Sequence, residues 1–287
     1  MDRRTKIRLA KTPIVGRALL AVYRAKIACA SLRAPLANGL HWWWRSNEIT
    51  NFTYDLDALN QRYLAALIAD VLDVDPRAIE RYLQELADDA PLRAHLAATT
   101  ARSERGFLAD TEVRFGRRIG WYAIARAIKP RVIVETGVDK GLGACLLTAA
   151  LLRNRQEGCD GRYYGTDIDP GAGYLLCGEY AERGRILYGD SIRSLANLDE
   201  TIDLFINDSD HSTDYEYREY LTVAGKLSKN AIVLGDNAHC SDRLLQFARE
   251  TGRHFLYFQE KPVGHWYPGG GIGIAFHRRR GEPADDR

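Results

Sequence analysis

Apolar and polar positions follow two different rhythms along the 287 residues of the chain. Up to about residue 98 the apolar residues recur every three to four positions, the spacing of helices with one buried face. From Thr12 to about Arg33, Val15, Leu19 and Val22, then Leu20, Tyr23 and Ile27, are set among Arg and Lys. Pro35, Asn38 and Gly39 are expected to end that helix, and His41-Trp42-Trp43-Trp44-Arg45 follows it. Asp55-Leu56-Asp57 opens a second helix with Leu59, Tyr63, Leu64, Leu67 and Val71 on one face. Asp75-Pro76 starts another, carrying Ile79, Tyr82, Leu83 and Leu86, with proline at the first turn where its missing N–H costs nothing.

After Phe115 the rhythm changes to short apolar runs separated by helical stretches. The runs are Val132–Val134, Tyr163–Gly165, Ile186–Tyr188, Asp203–Ile206, Ala231–Leu234, Phe255–Phe258 and Ile272–Phe276. Leu142–Leu152, Gly173–Arg183, Asp214–Leu227 and Ser241–Thr251 read as the helices between them. This alternation predicts an α/β fold, a parallel sheet with helices on both faces. Lys261–Gly271, between the last two runs, holds two prolines and four glycines but no helix, so those runs are expected to form an antiparallel hairpin. The chain thus divides into a leader (1–45), a helical cap region (46–112), the α/β domain (113–280) and a polar tail (281–287).

Charge adds an asymmetry. The whole chain carries only +2, but residues 1–35 hold nine basic residues against one acid, and the remainder is mildly acidic. A basic helix near tryptophans can lie in a membrane interface, making peripheral contact through residues 1–45; it can equally dock on its own domain or on a second subunit. An acidic body without a basic stripe is poorly suited to tracking nucleic-acid phosphates. Five scattered cysteines with no CxxC exclude a disulfide framework and a zinc ribbon, and point to a reducing cytoplasmic compartment. No stretch reaches the roughly 18 apolar residues of a membrane span.

Candidate chemistry collects at the predicted strand ends. The first gives Glu135-Thr136-Gly137-Val138-Asp139-Lys140-Gly141-Leu142-Gly143, where glycines let backbone approach a bound cofactor. Its GxxxGxG spacing differs from the GxGxxG of nicotinamide-binding folds. Asp167, at the tip of the second run, is placed to accept hydrogen bonds from a ribose diol. Asp190 and Ser191 after the third could read an adenine edge or simply cap the next helix. The fourth run ends Asn207-Asp208-Ser209-Asp210-His211, and Thr213-Asp214-Tyr215-Glu216 fits a capping box, so a helix should begin at Thr213. The fifth ends Gly235-Asp236-Asn237. If the fourth and fifth strands are neighbours, Asp208, Asp236 and Asn237 could converge on one hard cation, an all-oxygen set that suits Mg²⁺ over Zn²⁺.

From about Arg114 to Phe276 the chain resembles the class I S-adenosylmethionine-dependent methyltransferases, in particular the metal-dependent O-methyltransferases. Glu135-x-Gly137-x-x-x-Gly141 is similar to the ExGxxxG loop of the catechol O-methyltransferase family, and Asp208 with Asp236-Asn237 to its metal ligands. Asp208-Ser-Asp210-His211 also resembles the DGDH stretch of the macrocin O-methyltransferase and cephalosporin hydroxylase-like branch. The resemblance implies a seven-stranded Rossmann-like sheet with an antiparallel C-terminal hairpin. It further implies S-adenosylmethionine held by Glu135, Gly137, Gly141, Gly143, Asp167, Asp190 and Ser191, and Mg²⁺ held by Asp208, Asp236 and Asn237. Asp210 or His211 would be the catalytic base. Gly143 stands where the catechol enzymes have Ser, and His211 where they have the catalytic Lys.

The acceptor expected is a hydroxyl of a saccharide, glycolipid precursor or other small metabolite, with Trp42–Trp44, Trp266 and Tyr267 as possible flat faces for sugar rings. His239 and His265 are reserve bases. Nucleic acid is not an expected partner; a homo-oligomer is possible. Two other readings remain, a nucleotide-dependent oxidoreductase on a related sheet and a non-catalytic, membrane-associated adaptor.

Overall fold

The computed structural model describes residues 3–210, 212–236 and 238–278. The polar tail from residue 279 lies outside the described residues. The chain divides into two compact units, one running to Ser46 and including Gly264–Pro268, the other holding Asn47–Val263 and the chain from Gly269 onward.

The first unit contains α1 (Arg3–Ala10) and the long α2 (Pro13–Arg45). The helix does not stop near Arg33. It runs through Pro35, which forfeits only the bond its missing N–H would have made one turn back. Beyond it, the Asn38 side chain bonds the His265 carbonyl at 3.4 Å and Gly39 lies against the Trp266 side chain. Trp42 packs on Trp266 with ring centroids 5.3 Å apart, so that pair is engaged with itself rather than open to a sugar. Trp43 and Trp44 are exposed.

In the second unit, α3 (Ala58–Leu72) begins at Asp57, whose carboxylate accepts the Asn60 N–H at 2.7 Å. Its buried face is Leu64, Ala65, Ile68, Val71 and Leu72, whereas Leu59 and Tyr63, expected inside, are exposed. The stripe is rotated because the Asn60 side chain turns inward, bridging the Gln259 carbonyl and the Lys261 N–H. Then come α4 (Pro76–Ala87), α5 (Ala90–Arg102) and α6 (Arg118–Ile128), the last packed on α4 and on α7 (Leu142–Gln156).

The sheet comprises β1 (Val132–Thr136), β2 (Arg162–Asp167), β3 (Gly184–Tyr188), β4 (Ile202–Asn207), β5 (Leu227–Asp236), β6 (His254–Phe258) and β7 (Ile272–Phe276), in spatial order 3-2-1-4-5-7-6. The first five strands are parallel, and β7 is antiparallel to both β5 and β6. All five residues of β1 are buried, as a strand covered on both faces must be. One face packs Val134, Phe205 and Val233 against Tyr220 of α9 (Thr213–Ala224) and Phe247 of α10 (Arg243–Glu250). The short α8 (Ser191–Asn197) follows β3.

Two local expectations differ. Gly173–Arg183 forms turns and a 3₁₀ segment (Gly178–Arg183) instead of an α-helix. Gly173 has φ +73° and donates to the Asp139 carbonyl at 2.6 Å, tying the segment under the β1 loop, and a Cβ there would strike Ile186. α9 does begin at Thr213, but Ser212 occupies the cap position and Glu216 turns inward to accept from Tyr220 Oη at 2.8 Å.

Candidate active site

Strand order reverses between β2 and β4 on either side of β1, so the loops after those strands diverge and leave a crevice at their C-terminal ends. The crevice is a cavity of about 580 Å³. Gly137, Asp139 and Lys140 enter it from β1, Thr166–Asp169 from β2, Gly189–Ser191 from β3 and Asp208–Asp210 from β4, with Ile49–Asn51, Arg105 and Tyr174 completing the wall.

Gly137 is required by the chain rather than by a ligand. Its φ is +77°, and a Cβ would lie 2.1 Å from the Asp208 carbonyl oxygen, where the β1 and β4 tips cross. The β1 loop is held from the other side by Asp167, whose carboxylate accepts from Val138 N (3.1 Å), Asp139 N (3.0 Å) and Asp169 N (2.9 Å). A carboxylate offers about four acceptor directions, so Asp167 keeps capacity toward the cavity. Asp190 caps α8 through Arg193 N and accepts from Tyr215 Oη at 2.9 Å. These donors hold its carboxyl below the usual range. Asp190 and Ser191 thus cap and line the cavity at once.

The remaining glycine-loop residues sit elsewhere. Glu135 is buried beneath the loop, bonded to Tyr163 Oη at 2.6 Å, with its carboxyl pushed up to about 7 by burial. Gly143 packs over it: a Cβ there would come within 2.4 Å of Glu135 Oε1 and 2.9 Å of Trp121. Gly141 abuts Gly173. None of these three is among the cavity-lining residues; they shape the floor behind it.

Asp208 and Asp236 do come together at the adjoining tips of β4 and β5, with their carboxyls hydrogen-bonded to each other. What surrounds them is a pair of arginines. Arg117 grips both oxygens of Asp236 through Nε and Nη2. It also reaches Tyr54 Oη at 3.2 Å and Glu260 at 3.7 Å. Arg118 Nη2 lies 3.3 Å from Asp208. Burial and the neighbouring Asp236 charge drive the Asp208 carboxyl well above its ordinary range, while at Asp236 burial is opposed by Arg117, Asp208 and Arg118, which together keep it low.

This arrangement does not fit Mg²⁺. The cation needs free carboxylate oxygens at about 2.1 Å, whereas both Asp236 oxygens are committed to the Arg117 guanidinium and Asp208 is engaged by Asp236 and by Arg118. Among the described residues no three His, Cys, Asp or Glu side chains are placed to hold a metal ion. Asn237 and His211 lie outside the described residues. Asp210 is exposed at the cavity rim, its Oδ1 fixed by Ser212 N at 2.8 Å. His239 is exposed beside Cys240, and His265 belongs to the first unit.

Several residues were invisible to the sequence pattern. Glu219, wholly buried on α9, gathers Thr136 (3.1 Å), Ser209 (2.7 Å), Asn207 and Ser191, so a single carboxylate ties the tips of β1, β3 and β4. Burial raises its carboxyl and the donors oppose that. Arg105 pairs with Asp169, joining the helical region to the β2 tip. Lys140 Nζ reaches the buried Glu48 at 3.3 Å. The helix carrying Glu219 was expected over Asp214–Leu227, but nothing in that pattern singled the residue out.

Residues 134–238 match the family described as a methyltransferase domain. Among solved structures, the chain is similar to cofactor-bound Rv0187 from MTB (20% identity over 67% of this chain and 92% of that one, TM-score 0.51). It is also similar to a candidate O-methyltransferase from Klebsiella pneumoniae (15% identity, 76% and 99%, TM-score 0.51). A comparison with curated proteins returns no significant match. The matched segment runs from β1 through the β5 tip, the part that builds the crevice. Residues 134–238 thus match a methyltransferase domain, and the seven-stranded sheet with its terminal antiparallel pair is the fold shared with these solved structures.

Proposed function

We propose that this domain methylates a hydroxyl oxygen of a small, neutral, hydroxyl-rich acceptor such as a saccharide or glycolipid precursor, with Arg117 in the place of a metal ion. The observation that carries the reading is the lining of the cavity: aspartates stand at all four strand tips, six in total, against Arg105 and Lys140. Such a wall attracts a cationic sulfonium and hydrogen-bonds polyols, and it repels phosphorylated or carboxylated acceptors.

The residues present fit the cofactor. Asp167 retains acceptor capacity for a diol, Asp190 and Ser191 offer polar edges for a base, and the exposed Ile168 gives a flat ring an apolar neighbour. Thr166 Oγ1 is buried at the cavity wall with no hydrogen-bond partner among the described residues. When bound, S-adenosylmethionine supplies a methyl group on positively charged sulfur.

The chain's own contribution is orientation and proton removal. Asp210, with one oxygen pinned by Ser212, presents the other at the rim to accept the acceptor's hydroxyl proton. Glu219 fixes the β4 tip from which Asp210 projects. The Arg117–Asp236–Asp208–Arg118 cluster sets a fixed charge beneath that tip, where water is excluded and dipoles cost no reorganisation.

Transfer of labelled methyl from S-adenosylmethionine into cell-extract fractions, with and without EDTA, tests this reading. An O-methylated neutral product, activity changed less than about twofold by EDTA, and a drop of about 10²–10⁴-fold in kcat for Asp210→Asn are expected. Methylation at nitrogen or carbon would refute the acceptor class. Loss with EDTA and recovery with Mg²⁺ would refute the role given to Arg117.

A further inference from the structure

The first unit carries a surface with no counterpart in the methyl-transfer chemistry. Along α2, Ile14, Ala18, Val22, Ala25, Cys29, Leu32, Leu36, Leu40 and Trp43 follow one another in steps of three and four, so they share one face of the helix. No charged side chain interrupts that face for 30 residues, a length of about 45 Å. The large members are open to solvent: Ile14 84%, Val22 70%, Leu36 64%, Leu40 64% and Trp43 74% exposed. Contiguous apolar surface on this scale is rare on a soluble protein unless something covers it.

Charge says what covers it. Arg17 and Arg24, seven residues apart, line one border of the face; Lys26 and Arg33, also seven apart, line the other. Residues 3–46 hold ten basic side chains and no acid. Two such helices laid face to face would set cation against cation along both seams with no carboxylate to answer them, which opposes self-association. An anionic lipid surface matches both features, since acyl chains receive the apolar stripe and headgroups receive the flanking cations. Trp43, at the end of the stripe, has the amphipathic ring suited to the headgroup boundary. No helix among the described residues is long and apolar enough to cross a membrane, so the contact is along the surface.

We infer that α2 lies in the plane of an anionic membrane and anchors the enzyme peripherally there. Co-sedimentation of the full chain with vesicles of phosphatidylcholine, alone or mixed with phosphatidylglycerol, is the test. Binding is expected only to the mixed vesicles, with a blue shift of tryptophan emission and release by high salt. Leu36→Glu/Leu40→Glu, and separately Arg17, Arg24, Lys26 and Arg33→Gln, should each weaken vesicle binding more than about tenfold, with S-adenosylhomocysteine affinity unchanged. Three results would overturn the inference: wild-type chain left in the supernatant, binding insensitive to both variants, or a stable dimer abolished by Leu36→Glu/Leu40→Glu. Cofactor affinity is read separately, so failure here leaves the catalytic proposal standing.

Discussion

Arg117 shows how much of a buried charge cluster depends on one side chain. Its guanidinium neutralises Asp236, supports the Tyr54–Glu260 pair and is sealed from water. Truncating it in Arg117→Met removes the guanidinium that answers the Asp236 charge in a dry site, and a loss of about 3–5 kcal/mol in urea unfolding is expected. Combining it with Asp236→Asn removes the orphaned charge and should recover part of that loss; additive losses would contradict the coupling.

Glu135 makes a second residue-scale prediction. Its carboxyl is raised from 4.5 to about 7 by burial, so the folded chain binds a proton there that the unfolded chain releases. Its contribution is fully present below about pH 4.5 and fades as pH rises through about 7, a change of about 3 kcal/mol. Glu135→Gln, which keeps the hydrogen bond to Tyr163 without a titratable group, should flatten the stability profile across that window. A profile identical to wild type would place the proton elsewhere.

Among the elements, the crossing of the β1 and β4 tips is the least tolerant. Gly137→Ala puts a methyl group against the Asp208 carbonyl at a backbone conformation that L residues rarely adopt. The two tips must part, carrying Asp208–Asp210 away from the β1 loop. S-adenosylhomocysteine affinity should fall at least about tenfold by calorimetry, with unfolding made easier by roughly 1–3 kcal/mol. At Gly158, where the added carbon meets open space, alanine should leave affinity unchanged. The element scale is also where sequence reading went astray. Pro35 and Gly39 are strong stop signals, yet α2 continues because Asn38 and Gly39 find partners in Gly264–Pro268, more than 220 residues away. Gly173 fails in the opposite sense, turning an apparent helix into turns through a single tie to Asp139.

At the level of the whole molecule, the sheet was legible because each strand is a short apolar run and parallel neighbours need a long crossover, helical in most cases here. The carboxylates at the tips were legible for the same reason, since a residue at the end of a buried strand has only the crevice to face. The ligands that answer them were not. Arg117 and Arg118 open a helix 119 and 90 residues from Asp236 and Asp208. Adjacent arginines before an apolar helix read as solvated caps until the strand order puts them beneath the switch point. Asp208 and Asp236 were expected at adjoining tips around a metal ion; the guanidinium that holds Asp236 depends on a long-range contact that spacing alone does not encode.

On the reading proposed above, a guanidinium in the place of an ion changes how such an enzyme would live in a cell. A bound ion is borrowed from the surroundings, so its supply rises and falls with nutrition, chelating metabolites and competing transition metals. A charge built into the polypeptide is inherited with the gene, is present from the moment of folding and cannot be exchanged for manganese or iron. The rate of such a catalyst would stay level while the free magnesium around it swings, and only a change of codon could switch that charge off.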